Sequence, residues 1–428
     1  MGSTVDGLVS GMSTSSMIGQ LMQIEAAPQT RLKTKVSDAQ GVVTSYMSVN
    51  TKLTALKSAA DDLSLLSTWR SIKPTSSSTA VTAAATPGAT ATQTGSLAFD
   101  VVQLAKAQVS TARVDSENAV TSYDSFVITM GDGTDKTVQL EGDLTAQGIS
   151  NAINKAGIGV KASLVKTSTG DSVLQLTAAK TGMTNGFTVS GLDFELKTAV
   201  PPQDAMLQVG GADEDGGYSV TSSTNTFTDL MKGVTLTATK EEKNVSVSVE
   251  ADSGAIADKI KAMVDAANAV LSEVTKQTKF DAGTGKGSTL TGDFMVRQIS
   301  QTVMSAVSQG QTDIGSLSKL GVQLAKDGTL KFTKGDFETK YAEDPAKYQA
   351  AGITMADTFE ALAKKQGENI TNAITGRKTL IDSMNAQIDN WDVRLDQRRE
   401  SLTKQYATLE TALSNLKWQS SYLSSQLG

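Results

Sequence analysis

The alternation of apolar and polar positions is most regular near the C-terminal end of the chain. From about residue 377 to residue 427, an aliphatic side chain recurs at a strict seven-residue interval: Ile381, Ile388, Leu395, Leu402, Leu409, Leu416 and Leu423. An apolar residue at every second turn is typical of a coiled-coil seam, so the pattern predicts one helix on the order of 70 Å long. A companion row three residues further on is apolar at Met384 and Trp391 but polar from Arg398. The predicted seam is therefore imperfect.

A second helical pattern, near the N-terminus, offers this helix a partner. After a break at Pro28, apolar residues follow steps of three and four: Leu32, Val36, Ala39, Val43, Tyr46, Val49, Leu53, Leu56, Ala60 and Leu63. Polar residues lie between them, so one helix face is apolar. We expect the two ends of the chain to pair antiparallel or to share a bundle. A last helix buried inside a large all-α domain is the alternative, but no apolar run on its other faces supports it.

Most of the chain between these helices is predicted to form β-strands. Short segments alternate apolar and polar residues, with hairpin turns expected at 131–133 and at Asp327-Gly328. A short helix is expected to end at Gly157, because glycine tolerates the left-handed conformation that often closes a helix. Residues 76–94 favour an extended linker or edge strand, and helix is expected to resume at Ser253.

The patterns together predict a multidomain α+β protein. A helical coiled-coil stalk, built from both termini and a central helical region, would carry two nested β-rich domains. The segments are a docking segment at 1–30, a discontinuous stalk at 31–73 and 253–400, a discontinuous β-rich domain at 74–115 and 203–252, an inserted outer β-rich domain at 116–202, and a C-terminal docking helix at 401–428.

The first sixteen residues are rich in Gly, Ser and Thr, and we expect them to be disordered in the isolated protein. Met17, Leu21, Met22 and Ile24 then form one or two amphipathic turns. Their apolar side chains suit docking to a partner, and they suit packing on the stalk of the same chain equally well.

Composition excludes several kinds of chemistry. The 428 residues include no Cys and no His, so a thiol nucleophile, a Ser-His-Asp triad, an imidazole base and a Cys/His zinc site are all excluded. The net charge of −6, without a dense basic block, argues against nucleic-acid binding. We expect no membrane span and no cleaved signal peptide, because no segment has the required length of apolar residues. Export would then follow a signal-less route.

The remaining candidate motifs are weak. Residues 283–288 suggest a phosphate loop, but the first glycine and the residue after Lys286 do not fit. Residues 213–217 lack the alternating ligands and distal Glu of a calcium loop. Adjacent carboxylates at Asp61-Asp62 and Glu241-Glu242 would point apart on a helix. We therefore expect no cofactor and no enzyme activity, with a carboxylate pair formed by folding as the catalytic alternative.

Several segments of the chain carry a family resemblance. They include the run 7–12 followed by 25–28, the segment 97–108 with its Gln-Leu-Ala motif, the segments 225–229 and 233–237, and the C-terminal segment 408–423. The chain resembles the flagellar hook-associated protein 2 family, the bacterial flagellar filament cap, over nearly its whole length. Met12-Ser13 departs from that family, which often has Leu and Asp there.

The resemblance implies a filament cap. Its members form a homo-oligomeric ring at the filament tip, promote the folding and insertion of exported flagellin, and prevent its loss. The implied partners are further copies of the chain, flagellin, hook-filament junction proteins, the flagellar export apparatus and an export chaperone. The implied location is extracellular, at the flagellum tip.

We assign the assembly contacts to the seam residues of the terminal helices. These are Leu21, Leu32, Tyr46, Leu53, Ile381, Ile388, Leu395, Leu402, Leu409, Leu416 and Leu423. Two alternatives remain: another flagellar axial protein, such as a filament or junction subunit, and a surface adhesin that binds host glycans. A carboxylate-based glycosidase ranks last.

Overall fold

The computed structural model describes residues 13–86, 95–115, 117–167, 172–211, 216–311 and 313–427. The helices are α1 (Thr14–Glu25), α2 (Ala27–Ser64), α3 (Leu66–Trp69), α4 (Ala146–Ala156), α5 (Ser253–Thr278), α6 (Phe294–Ser308), α7 (Lys334–Glu343) and α8 (Pro345–Leu427). Short 3-10 helices span Met183–Asn185 and Leu317–Leu320.

The strands are β1 (Ile72–Ser76), β2 (Val81–Ala85), β3 (Gly95–Gln103), β4 (Val109–Val114), β5 (Ser125–Met130), β6 (Asp135–Gln139), β7 (Val160–Lys166), β8 (Ser172–Ala178), β9 (Phe187–Ser190), β10 (Lys197–Val200), β11 (Ala205–Val209), β12 (Tyr218–Ser222), β13 (Thr226–Met231), β14 (Val234–Ala238), β15 (Glu242–Ala251), β16 (Phe280–Asp281), β17 (Lys286–Gly287), β18 (Val322–Leu324) and β19 (Leu330–Phe332). Contacts divide the chain into a helical unit, Met1–Leu65 with Ala257–Gly428, and a β-rich unit, Leu66–Ile256. The predicted α+β, multidomain class is confirmed.

Helices α2 and α8 run antiparallel in the helical unit. Gln29 Nε2 donates to Asp392 Oδ1 at 2.5 Å, and Lys57 Nζ lies 3.2 Å from Glu360 Oε1. Residue numbers on α8 fall from 392 to 360 as residue numbers on α2 rise from 29 to 57, so the two helices run in opposite directions. Three apolar residues from each helix form a shared core: Val36, Ala39, Val43, Ile381, Met384 and Ile388. The predicted pairing of the chain ends is confirmed.

Helix α8 is longer than the sequence pattern predicted. It begins at Pro345 rather than near Arg377 and contains 83 residues, which corresponds to about 125 Å at about 1.5 Å per residue. The seven-residue row fails at Gly367 and Glu360, so the strict interval stops there. Buried side chains nevertheless continue along the helix by steps of three and four: Met355, Phe359, Leu362, Gln366 and Ile370.

The predicted disorder at the N-terminus is wrong for its last three residues. Thr14 begins α1, and Ser13 caps it by accepting a hydrogen bond from the Ser16 N–H at 3.4 Å. A Ser cap compensates for the unpaired N–H groups of the first turn. Residues 1–12 lie outside the described chain. The break expected at Pro28 is present, because α1 ends at Glu25 and Pro28 lies in the first turn of α2.

The β-rich unit contains two lobes, each with its own core. The first β lobe combines a five-stranded sheet, β1-β15-β3-β11-β12, with a three-stranded sheet, β13-β14-β2. The second β lobe combines the sheets β10-β4-β8-β7 and β6-β5-β9 with α4. The chain builds part of the first lobe, then the second lobe, and then returns, so the lobes are nested.

One predicted domain boundary needs correction. The sequence placed residues 74–115 in the first β-rich domain, but β4 pairs with β8 throughout its length and belongs to the second lobe. Only residues 104–108 separate β3 from β4, and they contain no Gly or Pro to signal a change of sheet. The other boundaries remain predictions. The left-handed Gly157, with φ of 60°, closes α4 as expected.

Candidate functional site

The predicted seam of α8 is covered along its first half and open along its second. Ile381, Ile388 and Leu402 are buried, and Leu395 is half-buried. Farther along, the exposed fractions rise to 46% at Leu409, 60% at Leu416 and 59% at Leu423. The same seven-residue row is therefore buried against other helices in its first half and exposed to solvent in its second half.

The change occurs where α1 begins. Glu25 Oε1, at the end of α1, lies 3.3 Å from Arg398 Nε, whereas Gln29 at the start of α2 contacts Asp392, so the antiparallel course along α8 continues from α2 into α1. Thr14 at the start of α1 and Glu410 on α8 are both buried. Within the described part of the chain, every residue from 414 to 425 is exposed. These residues, a little over three turns of α8, thus have no covering helix among the described residues.

Two aromatic residues add to the exposed apolar surface. Trp418 and Tyr422 are 69% and 54% exposed, and their rings stack with centroids 5.8 Å apart. We call Leu409, Leu416, Trp418, Tyr422 and Leu423 the open end of α8. The aromatic pair was missed in the sequence, although its four-residue spacing on a helix was a usable signal.

The remaining predicted assembly residues also fall into two groups. Tyr46 and Leu53 are buried between helices, and Leu32 packs beside the α2–α8 core. Leu21 on α1 is 39% exposed, and its neighbour Ile24 is 72% exposed. Burial shows which seam residues hold the helical unit together. The assignment of the exposed ones to assembly remains a proposal.

Tyr46 connects α2 to α6. Its Oη donates a hydrogen bond to Asp293 Oδ2 at 2.5 Å, while Asp293 Oδ1 accepts the Val296 N–H at 3.1 Å and caps α6. Burial of the phenol, followed by its hydrogen bond to the Asp293 carboxylate, raises the pKa of Tyr46 to about 12. The folded protein therefore favours the neutral phenol.

We expect the protein to lose stability as the pH rises from 10 towards 12, because the Tyr46 pKa of the unfolded chain lies near 10.0 and the unfolded state releases its proton first. Tyr46→Phe should lower the free energy of unfolding by about 1 kcal/mol at pH 7. It should also make the decline above pH 10 shallower. Urea unfolding at pH 7, 10 and 11 measures both effects. Tyr218→Phe, at a half-exposed ring, is the control; an unchanged alkaline decline in Tyr46→Phe would contradict the prediction.

Side chains in or beside the motifs considered for catalysis and ligand binding form ion pairs and hydrogen bonds within the chain. Asp61 and Asp62 pair separately with Lys57 at 2.6 Å and Lys259 at 2.8 Å. At the supposed phosphate loop, Asp281 Oδ1 accepts the Gly283 N–H at 2.9 Å, so a carboxylate occupies the position of an anion. Residues 213–215 of the supposed calcium loop lie outside the described chain.

The described residues include neither a metal-binding cluster nor a membrane-spanning helix. Within the described ranges, no three Cys, Asp or Glu side chains are grouped as a metal site would require. None of the helices in those ranges combines the length and the apolar character that crossing a bilayer requires.

Comparison with known families places the chain among the flagellar hook-associated proteins. The family model for the N-terminus of flagellar hook-associated protein 2 matches residues 10–108, and the model for its C-terminus matches residues 202–418. The second match alone covers more than half of the chain. The chain belongs to the flagellar hook-associated protein 2 family, which confirms the resemblance found in the sequence.

Relatives match along nearly the whole chain. Flagellar hook-associated protein 2 of Escherichia coli (strain K12) is 25% identical, over 98% of this chain and 97% of its own length. The A-type flagellar hook-associated protein 2 of Pseudomonas aeruginosa is 26% identical, with coverages of 96% and 95%. A crystal structure of the flagellar cap protein FliD from Escherichia coli, comprising its D1-D2-D3 domains, covers 78% of this chain and 99% of its own. Its TM-score of 0.60 at 23% identity shows a shared fold.

Proposed function

We propose that this chain caps the flagellar filament. It forms an oligomeric ring at the filament tip, promotes the folding and insertion of exported flagellin, and prevents its loss. The family membership supports this role, as does the fold shared with a protein described as a flagellar cap protein. The observation that carries the proposal is the open end of α8, which presents apolar side chains at the end of an 83-residue helix.

The open end suits docking because its helix is already formed. Burying one Leu side chain completely contributes about 1.5–3 kcal/mol relative to leaving it exposed. Docking could still gain about half of that free energy of burial at each of three leucines, Leu409, Leu416 and Leu423, since they are between 46% and 60% exposed. A preformed helix loses less conformational entropy on docking than a disordered tail would. The three leucines, with Leu21, would contact the filament end or a neighbouring protomer.

The partners follow from the same role. Copies of the chain would form the ring, flagellin would be its substrate, and hook-filament junction proteins would be its first neighbours. Delivery would require the flagellar export apparatus, with an export chaperone as a further partner. The working location is then the extracellular tip of the flagellum.

A deletion strain complemented with this chain tests the cap role. We expect the strain to be non-motile and to release monomeric flagellin into the medium, and we expect the complementing chain to reverse both defects. Normal filaments in the deletion strain would rule out the cap role and make the adhesin hypothesis the next to test. Long polymers of the purified chain would instead favour a filament or junction subunit.

A further inference from the structure

The two outer edges of the five-stranded sheet differ in their protection. Strand β1 forms one edge and β12 the other. Strand β1 contains Lys73 and Pro74, two residue types that discourage pairing with another strand. Strand β12 has the sequence Tyr-Ser-Val-Thr-Ser, without charge or proline. Tyr, Val and Thr favour strands, so β12 is an unguarded edge.

A row of apolar side chains crosses the core face of this sheet and runs off the β12 edge. The strand register places Val245, Phe99, Val209 and Tyr218 side by side. Their exposed fractions are 0%, 2%, 8% and 50%. Exposure therefore rises abruptly at the last strand, because nothing described lies beyond it in the sheet.

The neighbouring row ends in the same way. Val101 and Leu207 are buried, and Val220 on β12 is only partly buried against the same core. Tyr218 and Val220 thus extend the core face of the first β lobe past its last hydrogen-bonded strand. One further strand would cover both side chains and pair with the outer backbone groups of β12.

We propose that the covering strand is β12 of a second copy of this chain, paired antiparallel about a two-fold axis at Ser219. This register places Tyr218 opposite Val220 of the second copy, and Val220 opposite its Tyr218. The period of two along a strand keeps both core faces on the same side of the joined sheet. Aromatic and β-branched residues form favourable cross-strand pairs, and no charged side chain of either strand is brought into the contact. The strand is therefore complementary to itself.

The size of the contact sets its strength. Five residues on each side bury less than the roughly 800 Å² per partner of a standard interface, so the pair forms weakly and depends on concentration. A two-fold contact closes on itself, whereas a ring requires a head-to-tail contact. The β12 pair is thus additional to any ring contact and does not depend on the proposed function.

The absence of Cys from the chain allows a direct test. A single Ser219→Cys substitution in the full chain places two thiols at the two-fold axis, where opposed Cα atoms lie about 4.5–5.5 Å apart, within reach of a disulfide. Thr221→Cys is the matched control on the same strand and sheet face. Its two copies would lie about 13 Å apart along the strands, too far to bridge. Thr75→Cys on the guarded β1 is the second control.

The rate of covalent dimer formation under mild oxidation, followed on non-reducing gels, is the readout. We expect Ser219→Cys to react at least about tenfold faster than either control, because only its thiols are held within disulfide range. Adding Tyr218→Ser to Ser219→Cys should slow the reaction by removing the apolar cross-strand pair. Equal rates at the three positions, a faster reaction at Thr221→Cys, or no effect of Tyr218→Ser would each overturn the proposal. Circular dichroism of each variant confirms that the comparison is between folded chains.

Discussion

Leu53→Ala is expected to lower the free energy of unfolding of the helical unit by about 2–5 kcal/mol. Leu53 is only 1% exposed and lies on the α2 face that packs against other helices. Its truncation removes apolar contacts and leaves a cavity that the surrounding helices fill only in part. Urea denaturation followed by circular dichroism measures the change.

Leu409→Ala is the matched control for Leu53→Ala, since it makes the same substitution in the other terminal helix. Leu409 is 46% exposed, so we expect its effect to stay within about 0.5 kcal/mol, as for most surface substitutions. Equal losses in the two variants would mean that Leu409 is packed in the isolated protein, and would contradict the division of the seam into covered and open halves.

Replacing Leu409, Leu416 and Leu423 together by serine is expected to abolish capping while leaving the fold intact. Each side chain is about half exposed in the isolated chain, so its loss removes little stability. A docked partner would lose the remaining burial of three leucines, about half of 1.5–3 kcal/mol each and so roughly 2–4 kcal/mol in total. We expect motility and flagellin retention in the complemented deletion strain to fall to the level of the deletion itself.

The control for the triple variant changes polar exposed positions on the same stretch of helix, Thr411, Ser414 and Gln419, to alanine. These substitutions leave the apolar row unchanged and should leave motility unchanged. The two variants should also secrete equally, as judged by the amount of chain outside the cell. Full motility in the triple serine variant would remove the open end of α8 from the capping mechanism.

The heptad pattern was sufficient to predict the helical pairing but not its extent. A seven-residue row shows that a helix has an apolar seam, yet the coverage of each seam residue depends on where the partner begins. Here that point depends on the Ser13 cap and the start of α1 at Thr14, in a segment whose Gly, Ser and Thr content favoured disorder. Leu402 and Leu409 therefore look equivalent in the sequence, although one is buried and the other is not.

Contacts between distant positions could not be predicted. The bond between Tyr46 and Asp293 joins residues 247 positions apart, and neither residue has a local signal for it beyond the helix-capping character of Asp. The placement of β4 in the second lobe has the same cause, since strand alternation shows a strand but not its neighbour. The hairpins at 131–133 and 327–328 were predicted correctly, because their signals are local to the turns.

The break between α1 and α2 has a consequence for local unfolding. Only Thr14 and Met22 are buried on α1, whereas α2 buries residues along most of its length. With Pro28 interrupting the hydrogen-bond ladder between the two helices, α1 can open without disturbing α2. Amide hydrogens of α1 should then exchange much faster than those of α2. Each opening would briefly lengthen the uncovered part of α8 towards Arg398. A partner docking on the open end of α8 would then contact a longer helix surface than it would while α1 is closed.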